Sequence, residues 1–214
     1  NMMKKSYDIL KDHPVNVDRI KRGLNPANSI WIWGEGRKPR LESFKKLYGL
    51  DGAVISAVDL IKGIAICAGL KSIDVDGATG NINTNFKGKA DAALDALKDG
   101  ADFVYIHLEA PDECGHRAEI ENKVRSIELI DEKIVGYICD NLNKIGEEYR
   151  MLILPDHPTP LALRTHTRDA VPFVLYDSTS PKYNSASSYT EANAKASGIY
   201  YDKGYKLLNV FLKK

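Results

Sequence analysis

The stretch "DFVYIHLEAPDECGHRAEIENK" (Asp102–Lys123) joins an apolar run, an acid and a histidine four residues apart, and the start of a helical pattern. The run "DFVYIHL" predicts a buried strand, because it is short, almost entirely apolar and followed by polar residues. From Glu119 to Lys144, apolar residues recur at spacings of three and four, which predicts one long helix with a single apolar face. The residues of that face are Ile120, Val124, Ile127, Ile130, Ile134 and Ile138. A strand followed by a helix is typical of an α/β domain.

The rest of the chain repeats this alternation of strand and helix. "RMLILPD" (residues 150–156) is nearly all apolar, as expected of a parallel strand whose two faces are both covered. "SIWIWG" (Ser29–Gly34) predicts another strand, in which Trp31 and Trp33 share one face and are expected to lie in the core. Residues 1–28 are polar and rich in turn formers, which predicts a linker entering a main domain over residues 29–214. Further strands are predicted at 52–57, 72–75 and 171–177, and further helices at 41–49, 58–70, 87–100 and 204–214.

Composition excludes some classes of partner. The chain has 214 residues, of which 43% are hydrophobic and 28% charged, and its formal net charge is +1. No global charge therefore favours nucleic acid or an anionic membrane surface, and no apolar run approaches the roughly 18 residues of a membrane helix. The three cysteines show no CxxC spacing. Free thiols of this kind indicate a reducing compartment and predict a cytoplasmic protein.

Five acidic and histidine side chains follow or precede predicted strands at points where sites form. The carboxyl edge of an open α/β sheet is the usual place for ligands to bind. Carboxylate oxygen and neutral imidazole together suit Zn²⁺ or Mn²⁺, whereas the alternative is that these residues only cap turns. His107, inside the predicted strand, is expected to be structural. The five candidate metal ligands are Asp112, His116, Asp156, His157 and His166.

Two glycine-rich segments are candidates for binding an anion. "WGEGRKPR" (Trp33–Arg40) contains Arg37, and "DGATGNINTNFKGK" (Asp76–Lys89) ends at Lys89 before a predicted helix. A guanidinium fork, or the N–H groups at a helix start, could bind phosphate there. The alternative for each is a solvated turn, and neither segment contains a G-K-[ST] phosphate-binding loop.

The chain resembles the archaeal-type, cofactor-independent (2,3-bisphosphoglycerate-independent) phosphoglycerate mutases, which belong to the alkaline-phosphatase-like metalloenzymes. The resemblance covers nearly all of residues 12–214. It rests on a D-x-x-G-H motif, a D-H pair after a strand and a T-H-T before V-P-F, which occur in the family order. These motifs lie in "EAPDECGHRAEIENKVRSIELIDEKI" and "LPDHPTPLALRTHTRDAVPFVLY", and "WIWGEGRKPRLESFKKLYGLDGAVISAVDLI" extends the similarity.

The resemblance implies a three-layer α/β sandwich with a mostly parallel sheet and two divalent ions, Mn²⁺ or Zn²⁺. Asp112, His116 and His166 would bind one ion, and Asp156 and His157 the other. The implied activity is the glycolytic interconversion of 3-phosphoglycerate and 2-phosphoglycerate, an isomerase reaction in which a serine carries the phosphoryl group. Arg37 and Lys89 are the expected substrate contacts.

One departure from the family pattern stands out. In the family, an early aspartate and the nucleophilic serine complete the second site, and the 214 residues contain no matching segment. The resemblance therefore implies the carboxyl-terminal part of an enzyme, with no catalytic nucleophile of its own, one ion bound and an amino-terminal segment as partner. Residues 1–28 would be the exit of an inserted cap domain. The alternatives are a phosphomonoesterase or phosphonate hydrolase of the same superfamily, and a non-catalytic metal-binding domain.

Overall fold

The computed structural model describes residues 1–34, 36–184 and 186–212, and the chain divides into two compact units, Asn1–Pro39 and Arg40–Lys214. The first unit contains helices α1 (Met2–Leu10) and α2 (Pro14–Lys21). The buried amide of Asn16 bonds to the backbone of Leu10 and Ala27, and Ile30 donates its N–H to Ser6 Oγ at 3.0 Å. These bonds tie residues 27–30 to the two helices.

The predicted strand Ser29–Gly34 does not form, since none of its residues belongs to a strand. Trp31 and Trp33 are 75% and 74% exposed, so the expectation that they lie in the core is wrong. Their rings stack on one another with centroids 5.8 Å apart. Without a paired neighbouring strand, this segment has no sheet face against which the two indoles could pack.

The second unit contains two small sheets. Strands β1 (Gly52–Ile55), β2 (Lys71–Ile73) and β3 (Phe103–Ile106) form a parallel sheet in the order β2-β1-β3. Strands β4 (Arg150–Ile153) and β5 (Val174–Asp177) pair antiparallel. The expectation that β4 is a parallel strand is therefore wrong. A parallel pair needs a crossover connection, usually a helix, whereas the chain from residue 154 to 173 forms turns and irregular structure.

Helices connect and cover these strands, and the predicted α/β class with a parallel sheet is confirmed. Gly49 ends the first helix of this unit in the left-handed region, with φ +73°, as its position after "LESFKKLY" predicts. In the described ranges, no helix combines the length and apolar character needed to cross a bilayer. The helices are α3 (Phe44–Tyr48), α4 (Asp59–Cys67), α5 (Phe86–Lys98), α6 (Ala110–Arg117), α7 (Ile120–Ile130), a π-helical segment (Asp131–Gly136), α8 (Tyr137–Ile145), α9 (Glu191–Ala196) and α10 (Tyr205–Phe211).

The predicted single apolar face on residues 119–144 is wrong, because the π-helical segment breaks its phase. Ile134, Ile138 and Leu142 are buried in the main core with Ile55 of β1. Ile120, Val124 and Ile127 of α7 are instead each more than half exposed, and Ile130 at the end of α7 packs partly buried against the core. An α-helix advances about 100° per residue. A wider π turn accommodates about one extra residue, so the face beyond it is rotated by roughly that angle.

This phase shift predicts opposite outcomes for two matched substitutions. Ile138→Val is expected to lower the free energy of unfolding by about 0.5–1.5 kcal/mol, because it removes a methylene from the core. Ile127→Val is expected to stay within about 0.5 kcal/mol of the wild type, because this side chain is largely in solvent. Urea denaturation of both variants checks this, and equal losses would contradict the rotated face.

Candidate metal centre

Asp112 and His116 lie on one face of a helix rather than in a loop. Helix α6 starts shortly after β3 ends, and its first turn contains Pro111, Asp112 and Glu113. Proline and acidic residues both favour a helix start, which explains why this segment is helical. Residues four apart in a helix are neighbours on one face. His116 Nε2 accordingly lies 3.3 Å from Asp112 Oδ2.

His166 joins this pair from the irregular segment between β4 and β5. Its Nε2 lies 3.3 Å from Asp112 Oδ1 and 3.0 Å from His116 Nε2. Within the described ranges, Asp112, His116 and His166 are the one group of acidic, histidine or cysteine side chains with three ligand atoms all within 4.8 Å of one another. All three side chains are partly exposed, so a cation can reach them from solvent.

The orientation of the His116 ring leaves an acceptor nitrogen facing the cluster. Its Nδ1 lies 3.0 Å from the carbonyl oxygen of Arg164. A carbonyl only accepts, so His116 donates its proton from Nδ1, and neutral His116 presents a lone pair at Nε2. That lone pair lies against the carboxylate of Asp112. Two acceptors this close need a cation between them, either a proton or a metal ion.

The spacing of the carboxylate and the two imidazoles is close to the spacing of ligands around a small divalent cation. A tetrahedral Zn²⁺ holds nitrogen and oxygen ligands at about 2.0–2.1 Å, which places those ligands about 3.3 Å from each other. The two imidazole Nε2 atoms are 3.0 Å apart, and each lies 3.3 Å from a different oxygen of the Asp112 carboxylate, His116 from Oδ2 and His166 from Oδ1. Three protein ligands also leave a coordination position for water or substrate, as in catalytic rather than structural zinc sites.

The Asp156–His157 pair lies directly beside this cluster. It follows β4, and His157 Nε2 lies 3.3 Å from Asp156 Oδ2. The His157 ring stacks on His166 with centroids 3.7 Å apart, and its Nδ1 is 4.0 Å from Asp112 Oδ1. All five predicted ligands therefore meet at one place, although Asp156 and His157 stand outside the three-membered group.

A buried polar network lies next to the site. Lys89 is 1% exposed and donates from Nζ to the carbonyl oxygen of His107 at 3.1 Å. Burial lowers the pKa of Lys89, although the negative charge of Glu109 opposes this. Burial and the nearby carboxylates Glu113 and Asp112 raise the pKa of Glu109. His107 lies 3.3 Å from Ser56 Oγ through Nδ1, and burial lowers its pKa.

The loop before α5, a candidate for binding an anion, is held by hydrogen bonds of its own. Its cap residue Asn85 accepts the N–H of Gly88 at 2.8 Å and donates to the carbonyl of Asp76 at 2.9 Å. The Glu109 carboxylate lies against Gly80 in the same loop. Arg37 lies in the first unit and is exposed to solvent, whereas Lys89 is buried. Their roles as substrate contacts remain predictions.

Two contributors were missed by sequence reasoning. Thr159 is buried and donates its hydroxyl proton to Asp112 Oδ1. Its position in "DHPTP", two residues after His157, is a signal that could have identified it. Arg164 supplies the carbonyl for His116 from a left-handed backbone conformation, with φ +53°. A non-glycine residue in that region has no signature in the sequence.

Comparison with known proteins identifies the family. A family model described as the Metalloenzyme superfamily matches residues 10–199. The chain belongs to the Metalloenzyme superfamily. Residues 112, 116, 156, 157 and 166 all lie within the matched region of this superfamily member.

Curated relatives of this superfamily member support the resemblance to cofactor-independent phosphoglycerate mutases. It is 47% identical over 212 residues to the 2,3-bisphosphoglycerate-independent phosphoglycerate mutase of Methanothrix thermoacetophila, covering 99% of this chain and 54% of the relative. It is also 47% identical over 213 residues to a probable mutase of the same kind from Geobacter sulfurreducens, covering 100% and 53%. The chain therefore spans about half the length of the curated relatives it matches.

Solved structures show the same partial coverage. The PH0037 protein of Pyrococcus horikoshii matches with a TM-score of 0.82 and 30% identity, over 99% of this chain and 54% of that one. A cofactor-independent phosphoglycerate mutase of Thermoplasma acidophilum matches with a TM-score of 0.58 and 21% identity, over 99% and 49%. This second likeness supports the fold alone.

Proposed function

We propose that this chain supplies the metal-binding part of a cofactor-independent phosphoglycerate mutase, which interconverts 3-phosphoglycerate and 2-phosphoglycerate. The observation that carries the proposal is the convergence of Asp112, His116 and His166 from α6 and a distant segment, with spacings that suit a divalent ion. The names of the relatives at 47% identity support the choice of reaction. On this proposal the protein works in glycolysis, and a cytoplasmic location follows as a further prediction.

The residues would divide the work between two Mn²⁺ or Zn²⁺ ions. Asp112, His116 and His166 would hold the first ion, and Asp156 and His157 would contribute to the second. Paired divalent ions supply electrostatic stabilisation to the attacking and leaving oxygens of a phosphoryl transfer. In this role the carbonyl of Arg164 fixes the tautomer of His116. The stacked rings of His157 and His166 keep the two ligand sets side by side.

The proposed substrate contacts are Arg37 and Lys89. A guanidinium can bind phosphate or carboxylate through two parallel hydrogen bonds, which suits Arg37. Lys89 is close to the ligand-bearing end of β3 through its bond to His107. Since its ammonium is buried, it would meet substrate only after that bond is exchanged.

Metal titration and a mutase assay test this proposal together. The 214 residues alone are expected to bind about one Mn²⁺ or Zn²⁺ tightly, because one ligand set is complete, and to show negligible mutase turnover. Fusion to the segment of the Methanothrix relative that this chain does not match is expected to produce phosphoglycerate mutase activity. Calorimetry measures the binding, and an enolase-coupled assay measures the turnover.

Three results would contradict the proposal in different ways. Absence of metal binding by the 214 residues would refute the metal centre. Mutase turnover by these residues alone, at a rate normal for an enzyme of about 10 s⁻¹, would refute the need for a second segment. A fused protein that binds metal and hydrolyses p-nitrophenyl phosphate without mutase activity would favour a phosphomonoesterase instead.

A further inference from the structure

Thr159 lies between the two predicted ligand sets. It is 5% exposed, and its hydroxyl donates to Asp112 Oδ1, an oxygen that also faces His166. The same hydroxyl oxygen is 3.4 Å from His157 Nδ1. A hydroxyl has one proton and two lone pairs. Because the proton goes to Asp112, the oxygen is left to accept the Nδ1–H of His157, which leaves the His157 Nε2 lone pair available for a cation.

The backbone around Thr159 holds this hydroxyl in place. Pro158 and Pro160 flank it, and a following proline restricts Thr159 to extended conformations. Its carbonyl accepts a 2.8 Å hydrogen bond from Lys123 Nζ of α7. The carbonyl of Pro158 accepts the N–H of Thr167 at 3.1 Å, which ties the segment to the neighbour of His166. The side chain therefore has little freedom to turn away from Asp112.

We infer that Thr159 is a positioning residue for the metal centre, and that its hydroxyl orients Asp112 and His157 at the same time. One lone pair of Asp112 Oδ1 is occupied by the threonine proton, which fixes the rotation of the carboxylate and aims its remaining lone pairs at the side where His116 and His166 converge. Lys123 supports the arrangement by holding the Thr159 carbonyl. This inference rests on the proposed metal centre and extends it to residues that do not themselves bind the ion.

Conservative substitutions separate this role from simple packing. Thr159→Val keeps the shape of the side chain and removes the hydroxyl, whereas Thr159→Ser keeps the hydroxyl. Thr179→Val is a matched control, because Thr179 Oγ1 also donates to an aspartate, Asp177, at 2.7 Å but at the end of β5. Loss of an outer-shell partner typically weakens metal affinity about 10–100-fold.

Calorimetric titration of the 214-residue chain with Mn²⁺ and Zn²⁺ provides the test. Thr159→Val is expected to bind about 10–100-fold more weakly, whereas Thr159→Ser and Thr179→Val are expected to bind like the wild type. The visible spectrum of bound Co²⁺, which reports ligand number and geometry, is expected to change in Thr159→Val alone. Wild-type affinity in Thr159→Val, or an equal loss in Thr159→Ser, would overturn the inference.

Metal binding by the variants distinguishes a failure of the positioning role of Thr159 from a failure of the metal centre itself. If Asp112→Ala removes binding while Thr159→Val does not, the metal centre stands and the positioning role falls. If the wild-type chain binds no metal, the metal centre falls, and the role of Thr159 with it. Should Thr159→Val fail to show a thermal unfolding transition, Lys123→Met gives the same readout through the Thr159 carbonyl. Unchanged affinity in that variant would count against the inference.

Discussion

Replacement of Asp112 by alanine is expected to abolish tight metal binding by this chain. Its carboxylate lies within 3.3 Å of both His116 Nε2 and His166 Nε2, so it is the member of the cluster that both imidazoles share. Without it, two neutral nitrogens face the cation with no negative charge to balance it. The loss is expected to exceed the roughly 100-fold limit of an outer-shell change, because a direct ligand is removed.

The measurement is calorimetric titration with Mn²⁺ and Zn²⁺, with Asp140→Ala as control. Asp140 is an exposed acid on α8, and its removal is expected to leave the affinity unchanged. In the metal-free protein, Asp112→Ala also removes the acceptor of the Thr159 hydroxyl, which costs about 0.5–1.5 kcal/mol of stability. Wild-type metal affinity in Asp112→Ala would place the binding site elsewhere in the protein.

Replacement of Gly115 by alanine is expected to damage both stability and metal binding. A Cβ atom at this position would lie 2.5 Å from the Thr159 carbonyl oxygen and 2.9 Å from both Thr159 Cγ2 and Lys123 Nζ. The carbonyl cannot yield easily, because prolines flank Thr159 and Lys123 holds it. Such overpacking costs about 1–3 kcal/mol. This outweighs the better helix propensity of alanine, which is at most about 1 kcal/mol.

The metal affinity of Gly115→Ala is expected to fall together with its stability, because α6 carries Asp112 and His116 and must move away from Thr159. Gly63→Ala in α4 is the matched control, since a Cβ there meets nothing within 4 Å. That variant is expected to gain up to about 1 kcal/mol from helix propensity and to bind metal normally. Chemical denaturation and calorimetry check both variants. Unaltered stability and affinity in Gly115→Ala would show that α6 does not need its close approach to Thr159.

Sequence reasoning succeeded where one local pattern decides the outcome. The apolar runs before Asp112 and Asp156 predict strands, and β3 and β4 form there. The side chains of residues 112, 116, 156, 157 and 166 lie close together, although β3 and β4 belong to different sheets and do not share the single sheet edge that the sequence suggests. Their roles as ligands of two ions remain proposals.

Sequence reasoning failed where distant partners decide the outcome. The periodicity of residues 119–144 cannot reveal a π-helical segment, which shifts the buried face without changing the spacing of apolar residues. The pattern of Trp31 and Trp33 suits a strand, but a strand needs a partner that the pattern does not specify. The contact of Thr159 with Asp112 spans 47 positions in the sequence, and only the folded chain brings them together.

On the proposed metal centre, the position of His166 would give the ion a second role, as a cross-link. His116 and His166 are 50 residues apart in sequence, and His166 belongs to the irregular stretch between β4 and β5. A cation held by both histidines would close the long loop between them. Closure of a loop reduces the conformational entropy of the chain within it. Much of the binding energy at the proposed centre would therefore be folding energy for the region between β4 and β5. Removal of the ion by a chelator would therefore first destabilise the folded structure of this region, apart from any effect on catalysis.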